Sequence, residues 1–251
     1  MNRSQISISR VLERLDAYLA KNDYESAEAH LLYWLSEALS LGDFRSELPI
    51  RNELMGLYRK LGNRESALEM VDSALDIINC TEAEDSVSSA TTYLNCATVY
   101  KAFDMAKKAI PVFEKAKEIY ERELDGADPR LGGLYNNMAL ALVDEKRFGE
   151  AHVLYERAIS VMEQNEGKEL EIAITHLNIA TASEAQLGLE NSESEVQGRL
   201  EIARKILDTY PRRDGYYAFV CEKCASVFGY YGHFAYENDL TERARSIYGE
   251  N

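Results

Sequence analysis

The chain is short of the residues that mark several classes of protein. It has only 4 Pro and 14 Gly in 251 residues, which argues against a disordered chain and against a β-sandwich with many turns. Its 4 Cys are scattered and too few for a disulfide framework, so we expect a reducing, cytoplasmic environment. No stretch approaches the roughly 20 apolar residues that span a bilayer. The N-terminus also lacks the apolar core of a signal peptide.

Positive charge is scarce as well. The 28 Lys and Arg against 43 Asp and Glu give a formal net charge of −15. Such a chain would repel nucleic acid and anionic lipid, so neither nucleic acid nor a membrane is expected as a partner, whereas a basic or neutral peptide or protein would suit it. No P-loop, nucleophile elbow or H-E-x-x-H motif occurs, and the 4 His have no metal-ligand spacing. No catalytic residue, cofactor or metal is therefore predicted.

What the chain has in abundance is a repeated pattern of small and large residues. Ala67, Ala109 and Ala151 follow one another at steps of 42 residues. After each of them come a large residue and a second alanine, in the pairs Val71 and Ala74, Phe113 and Ala116, and Tyr155 and Ala158. Small residues at fixed positions let two helices approach closely, while the large ones fill the space between neighbouring pairs. The pattern predicts pairs of helices stacked in a row.

The stretch Leu134–Val161 shows the unit most clearly, as two short helices joined by a turn at Asp144–Phe148 with an Asn-Asn pair in the first helix. It resembles the tetratricopeptide repeat, and the step of 42 residues is similar to that of kinesin light chain-type repeats. The resemblance implies an all-α, right-handed superhelical solenoid of about six tetratricopeptide-like helix-turn-helix repeats. We predict a single tetratricopeptide repeat domain over residues 1–251, with approximate repeats at 7–41, 48–78, 89–123, 131–164, 169–208 and 214–249.

Prolines and polar runs predict where individual helices begin and end. Pro49 is expected in the first turn of its helix, where its missing N–H costs little. Pro111 should bend its helix or delay its start. In the fifth repeat, the polar stretch 188–195 is interpreted as a lengthened turn between the two helices.

The resemblance also implies that the first helices of the pairs line a concave, ligand-binding face. On that face Asn95, Asn137 and Asn178 recur at steps of 42 and 41 residues. A side-chain amide both donates and accepts, so this amide ladder could hold the backbone of an extended peptide. The alternative interpretation is that these asparagines cap or bridge neighbouring helices. The other predicted groove residues are Arg59, Thr98, Lys101, Asn136, Leu140 and Thr181.

The leading hypothesis is a non-catalytic scaffold that binds an extended peptide or a partner helix in its concave groove. The alternative is a peptide-sensing regulatory module of a bacterial signalling system, although such regulators usually carry an N-terminal effector domain and this repeat pattern begins near residue 7. A third hypothesis is an enzyme using the C-x-x-C of Cys221 and Cys224, positions that face the stack, where a cysteine usually behaves as a small apolar residue. Aromatic residues crowd the last repeat, where they either close its core or form a homodimer face.

Overall fold

The chain is all-α. The computed structural model describes residues 6–80 and 85–249, and twelve α-helices but no strand occur within them. In chain order the helices are α1 (Ile8–Leu19), α2 (Tyr24–Leu41), α3 (Phe44–Lys60), α4 (Arg64–Cys80), α5 (Val87–Ala102), α6 (Ala106–Glu123), α7 (Pro129–Asp144), α8 (Phe148–Glu163), α9 (Glu169–Leu187), α10 (Leu189–Thr209), α11 (Gly215–Tyr230) and α12 (Phe234–Tyr248). The predicted all-α helical-repeat fold of the solenoid class is confirmed.

Contacts between Cα atoms divide the chain into two compact units, Met1–Glu123 and Leu124–Asn251. In the first unit the helices pair in chain order, α1 with α2, α3 with α4 and α5 with α6, and each pair also contacts the next. The first helices of the pairs contact one another, α1 against α3 and α3 against α5. We call the solvent-accessible residues on these adjacent first helices the first-helix face of the unit.

The second unit repeats this arrangement with α7 and α8, α9 and α10, and α11 and α12. Its first-helix face is formed by α7, α9 and α11, which contact one another in turn. A continuous apolar core joins its last two pairs and includes Leu170, Leu200, Tyr217 and Phe228. Each fully buried side chain of this size contributes about 1.5–3 kcal/mol, so packing between pairs stabilises the unit. The single domain over residues 1–251 stays a prediction.

The small residues of the repeat lie at tightly packed positions, as the sequence predicts. Ala67, Ala109 and Ala151 are at most 1% exposed. Gly132 shows how closely α7 and α8 approach, because a Cβ atom there would lie 3.0 Å from Cγ of Met162. Larger side chains at these positions would force the helices of a pair apart.

Tight turns join the two helices of a pair, and a residue in the left-handed region occupies the same place in several of them. These residues are Asn22 (φ 53°), Gly62 (φ 69°), Asp104 (φ 60°) and Lys146 (φ 59°). Glycine adopts this conformation at no steric cost, whereas other residues bear a penalty of about 1–2 kcal/mol. The predicted turn at Asp144–Phe148 is confirmed, since α7 ends and α8 begins at these two residues.

The prediction for Pro49 requires correction, and one of the two alternatives predicted for Pro111, a delayed start, does not occur. Helix α3 begins at Phe44, capped by the Asp43 side chain, so Pro49 lies inside the helix rather than in its first turn. Pro111 also lies inside its helix and does not delay the start of α6 at Ala106. Each proline removes one backbone hydrogen bond near the N-terminal end of a long helix, and burial of the rest of the helix offsets that loss.

The prediction of a lengthened turn at 188–195 is wrong. Helix α9 continues to Leu187 and α10 begins at Leu189. Gly188 alone separates them, with φ 75° and ψ 159°, a conformation that is essentially confined to glycine. The additional residues of this repeat instead extend α9 and α10 to 19 and 21 residues.

Candidate functional site

The predicted groove residues all lie on first helices and fall in both units. In the first unit they are Arg59 on α3 and Asn95, Thr98 and Lys101 on α5. In the second unit they are Asn136, Asn137 and Leu140 on α7 and Asn178 and Thr181 on α9. Because α3 contacts α5 and α7 contacts α9, each unit brings its own set of these residues onto adjacent helices.

Asn95 and Asn137 present amide groups that the chain itself leaves free. Both side chains are half-buried, and neither makes a hydrogen bond to another residue that the structure describes. Each amide carries one acceptor and two N–H donors, which match the C=O and N–H groups of an extended peptide backbone. These two residues therefore have the hydrogen-bonding capacity that the predicted amide ladder requires.

Asn136 has a structural role instead. Its side chain is only 9% exposed, and its Oδ1 accepts hydrogen bonds from Thr175 Oγ1 at 3.2 Å and from Asn178 Nδ2 at 3.0 Å. It bridges α7 and α9 and is too buried to serve as a groove residue. Its partner Asn178 belongs to the predicted ladder, so the bridging alternative holds for that member. Asn178 is half-buried. Since its Nδ2 donates to Asn136, its Oδ1 offers the stronger point of contact for a ligand.

The first unit contains the equivalent bridge. Asn52 lies 84 residues before Asn136, two repeat steps, and its Nδ2 donates to Thr92 Oγ1 at 3.1 Å, which joins α3 to α5. The Asn–Thr bridge was not predicted. The signal for it was the recurrence of Asn at twice the repeat step, together with a threonine about one repeat further on, Thr92 and Thr175.

A carboxylate occupies the ladder position of the second repeat. Glu53 lies 42 residues before Asn95 and is half-buried on α3. Burial, and then the nearby carboxylate of Asp16, raise the pKa of Glu53 above its usual range. Glu53 was not predicted as a groove residue because the search considered only amide side chains. Counting one repeat step of 42 residues back from Asn95 would have found it.

Charge changes sign at one position of the first-helix face. Arg59 and Lys101 lie 42 residues apart in the first unit, whereas Val143 and Glu184 take the corresponding position in the second. Arg59 is exposed and forms no ion pair with a described residue, so its guanidinium is available to an incoming carboxylate. The two units therefore offer different charges to a ligand.

The remaining predicted groove residues contribute shape and acceptor groups. Thr98 Oγ1 donates to the Leu94 carbonyl at 2.8 Å, and Thr181 Oγ1 donates to the Leu177 carbonyl at 3.2 Å. Each hydroxyl oxygen remains able to accept a hydrogen bond. Leu140 is half-buried and gives the second unit an apolar contact on this face.

The C-x-x-C pair is part of the apolar core of the second unit. Cys221 and Cys224 on α11 are at most 1% exposed. Burial raises the pKa of Cys221 to about 11 and that of Cys224 to about 12. Both are protonated thiols at neutral pH, and a thiol is a poor nucleophile and a poor metal ligand compared with a thiolate.

His176 is buried beside Arg199, whose Nη1 lies 3.2 Å from its Nδ1. Burial, and then the Arg199 charge, lower the pKa of His176 to about 4, so it is neutral at physiological pH. Across residues 6–80 and 85–249, no group of three or more His, Cys, Asp or Glu side chains is arranged to hold a metal ion. Over the same ranges, no helix has the length and apolar character needed to cross a membrane.

The aromatic residues of the last repeat divide between core and surface. Tyr217 and Phe228 are fully buried in the core, whereas Tyr216, Phe219 and Tyr230 on α11 are 44%, 41% and 70% exposed. Tyr217 and Phe228 close the core, as one of the two interpretations of these aromatic residues expects. Tyr216, Phe219 and Tyr230 lie on the surface, and a homodimer formed through them stays a prediction. Light scattering at micromolar concentration would test it.

Models of known families match the chain in two places. The tetratricopeptide repeat is found at residues 49–122 and again at residues 132–169. No curated protein gives a significant match to the sequence.

Solved structures share the fold. BtubC (BKLC) from P. vanneervenii is 24% identical with a TM-score of 0.67, over 82% of this chain and 84% of that chain. Nearly identical TPR-like repeats of kinesin light chain type from Podosopora anserina are 18% identical with a TM-score of 0.56, over 82% and 96%. A Rap protein solved in complex with competence and sporulation factor is 15% identical with a TM-score of 0.60, over 97% and 76%.

The family matches, the helix pairs and the fold of these structures agree with one another. At these identities the solved structures support the fold alone, and the two family matches identify the repeat. The chain therefore contains tetratricopeptide repeats, at residues 49–122 and 132–169, within an all-α helical-repeat fold.

Proposed function

We propose that the protein is a non-catalytic scaffold whose first-helix faces bind an extended peptide or a partner helix. The observation that carries the proposal is the pair of free, half-buried amides at Asn95 and Asn137. At a half-buried position an amide can replace its hydrogen bonds to water with hydrogen bonds to the backbone of a ligand. Each such hydrogen bond contributes about 0.5–1.5 kcal/mol net.

The charge of the preferred ligand follows from the charged residues on the first-helix faces. Main-chain recognition tolerates many side chains, so the charged positions on the first-helix faces would set the preference. Arg59 favours a carboxylate in the first unit, and Glu184 favours a cation in the second. The net charge of −15 favours a basic or neutral ligand as a whole.

A cytoplasmic location belongs to the same proposal. Cys80 is exposed and unpaired, and the three other cysteines are also free. An exposed free thiol is most stable in a reducing compartment, and the cytoplasm is the common one.

The experiment begins with a peptide obtained by phage-display selection on the immobilised protein. Its affinity is then measured by calorimetry for the wild type and for the double variant Asn95→Ala, Asn137→Ala. We expect about tenfold weaker binding, or about 1.4 kcal/mol, because the amide on the face that binds the peptide loses its hydrogen bonds to the ligand. Thermal unfolding should be unchanged, since neither side chain has a partner within the described part of the chain.

The matched control is Asn136→Ala, the neighbouring amide with a structural role. Removing its two hydrogen bonds, from Thr175 and Asn178, should lower the unfolding temperature. A double variant that binds the selected peptide as tightly as the wild type would rule out the amide contacts. Selection of no peptide at all from a diverse library would count against an extended-peptide ligand.

The second candidate is a peptide-sensing regulatory module. It is favoured by the fold similarity to the Rap protein, which extends over 97% of this chain. A regulator differs from a scaffold in that its ligand must change the affinity for a second partner. Hydrogen exchange with and without the selected peptide separates the two. In a scaffold the peptide protects only the residues that it contacts, whereas in a regulator it also changes protection at a distant surface.

A further inference from the structure

The second unit contains a cavity of about 610 Å³ where α10 begins and α11 ends. Its walls combine apolar, aromatic and acidic residues and include no lysine or arginine. The lining residues are Leu189, Glu190, Glu193, Val196, Gln197, Tyr230, Tyr231 and Gly232. A concave site with apolar walls and a few convergent polar groups is the usual form of a ligand site.

A carboxylate holds the aromatic wall in place. Glu184 on α9 accepts one hydrogen bond from the Tyr230 hydroxyl and one from the Tyr231 hydroxyl, each 2.8 Å long. The two rings meet edge to face, with centroids 5.0 Å apart. Tyr230 remains 70% exposed. The cavity therefore has two fixed tyrosine rings, one of them largely open to a ligand.

Two further carboxylates on this wall have no partner. Glu190 and Glu193 are exposed, lie three residues apart in the first turns of α10, and form no ion pair with a described residue. The N-terminus of the helix stabilises them, but like charges at this spacing repel each other by a few tenths of a kcal/mol. A cation placed between them would relieve the repulsion and meet the negative faces of the tyrosine rings.

We propose that this cavity binds the guanidinium group of an arginine in the peptide held by the first-helix face of the second unit. Arginine fits better than lysine because its planar group stacks on an aromatic ring while it pairs with carboxylates. The inference rests on the proposed function for its source of ligand.

The spacing along α9 supports this placement. Asn178, Thr181 and Glu184 follow at three-residue intervals and lie on one face of the helix. Six residues of helix from Asn178 to Glu184 span about 9 Å, the length of about three residues of extended peptide. An arginine about three residues beyond the backbone segment at Asn178 would reach the cavity.

The experiment uses N-acetyl-arginine amide as the probe, with the ring resonances of Tyr230 and Tyr231 followed by NMR in the full chain. We expect saturable shifts with an affinity on the order of millimolar. N-acetyl-citrulline amide, which has the same shape without the charge, should bind at least fivefold more weakly. The double variant Glu190→Gln, Glu193→Gln should weaken arginine binding about tenfold, the combined effect of losing two exposed ion pairs.

The matched control is Glu201→Gln, which removes an equal charge from an exposed residue of α10 outside the cavity. It should leave the affinity for N-acetyl-arginine amide unchanged. The arginine site is overturned if N-acetyl-citrulline amide or N-acetyl-lysine amide binds as tightly as N-acetyl-arginine amide. It is also overturned if the Glu190 and Glu193 double variant binds N-acetyl-arginine amide as tightly as the wild type. The Asn95 and Asn137 variant should bind the probe normally, so failure of the peptide groove and failure of the arginine site give different results.

Discussion

At the scale of single residues, the most informative groups are buried polar side chains, because the presence or absence of a hydrogen-bond partner sets their effect on stability. The hydroxyl of Tyr155 is buried and has no hydrogen-bond partner among the described residues. Burial, and then the Asp144 charge, raise the pKa of this phenol above its usual range. Its ring fills the large position of the repeat, so the ring contributes to stability while the hydroxyl opposes it.

We predict that Tyr155→Phe stabilises the protein by about 1 kcal/mol, because it removes an unsatisfied buried group and keeps the ring. The matched control is Tyr135→Phe, whose hydroxyl accepts a hydrogen bond from Arg157 Nη2 at 2.6 Å. That change should destabilise by about 1 kcal/mol. Urea denaturation measures both free energies of unfolding. Destabilisation of similar size in both variants would contradict the assignment of Tyr155.

His176 predicts an acid sensitivity with a definite sign. Its pKa is about 4 in the folded protein, below the usual 6.5, so the unfolded state binds more protons between these values. The contribution of His176 is therefore fully present above about pH 6.5 and is lost as the pH falls through about 4. The loss amounts to roughly 3 kcal/mol between about pH 7 and about pH 4.

The measurement is the free energy of unfolding of the wild type and of His176→Gln from about pH 7 to about pH 4. Glutamine does not titrate, so the curve of the variant should be flatter by the His176 contribution. Parallel curves for the two proteins would show that His176 is not the group responsible.

At the scale of elements, the turns of the helix pairs allow a paired prediction. Gly62 and Lys146 occupy the same left-handed turn position, at φ 69° and 59°. Gly62→Ala should destabilise by about 1 kcal/mol from backbone strain alone, since nothing lies within 4 Å of an added Cβ. Lys146→Gly should stabilise by about 0.5–1 kcal/mol, because the relief of strain exceeds the entropy cost of glycine. Thermal denaturation giving the same sign for both changes would contradict this account of the turns.

The helix pairs were predictable because the residues that pack between helices recur at the repeat period. The buried small residues Ala67, Ala109 and Ala151 recur at that period, and the turn at Asp144–Phe148 follows from their alignment. Pro49 was misplaced because rules for isolated helix ends do not see the Asp43 cap one turn earlier. The stretch after Gly188 was misjudged because a polar composition suits an exposed helix as well as a turn.

The candidate site was predictable only in part, for a geometric reason. Adjacent residues of a helix point about 100° apart, so Asn136 and Asn137 face different surroundings although they are chemically identical. The structure turns Asn136 inward to Thr175 and leaves the Asn137 amide free. The pairing of Glu184 with Tyr230 and Tyr231 depends on the packing of the last two repeats, which their departure from the 42-residue step concealed.

At the scale of the whole molecule, the chain offers two first-helix faces with different charges and similar amides. The first unit presents Arg59 on α3, and the second presents Glu184 on α9 beside two tyrosines of its cavity. Taken separately, Glu184 would favour a basic ligand segment on the face of the second unit, as the net charge of −15 does for the whole chain, and Arg59 would favour a carboxylate on the face of the first.

The central claim is that side-chain amides on the first-helix faces contact the ligand backbone. The most direct measurement is a titration of the selected peptide into protein labelled with ¹⁵N-asparagine, with the side-chain NH₂ resonances followed by NMR. The resonances of Asn95 or Asn137, or of both, should shift in proportion to the bound fraction, while those of the buried Asn136 should shift far less. Saturating binding that leaves both the Asn95 and Asn137 resonances unmoved would contradict the account.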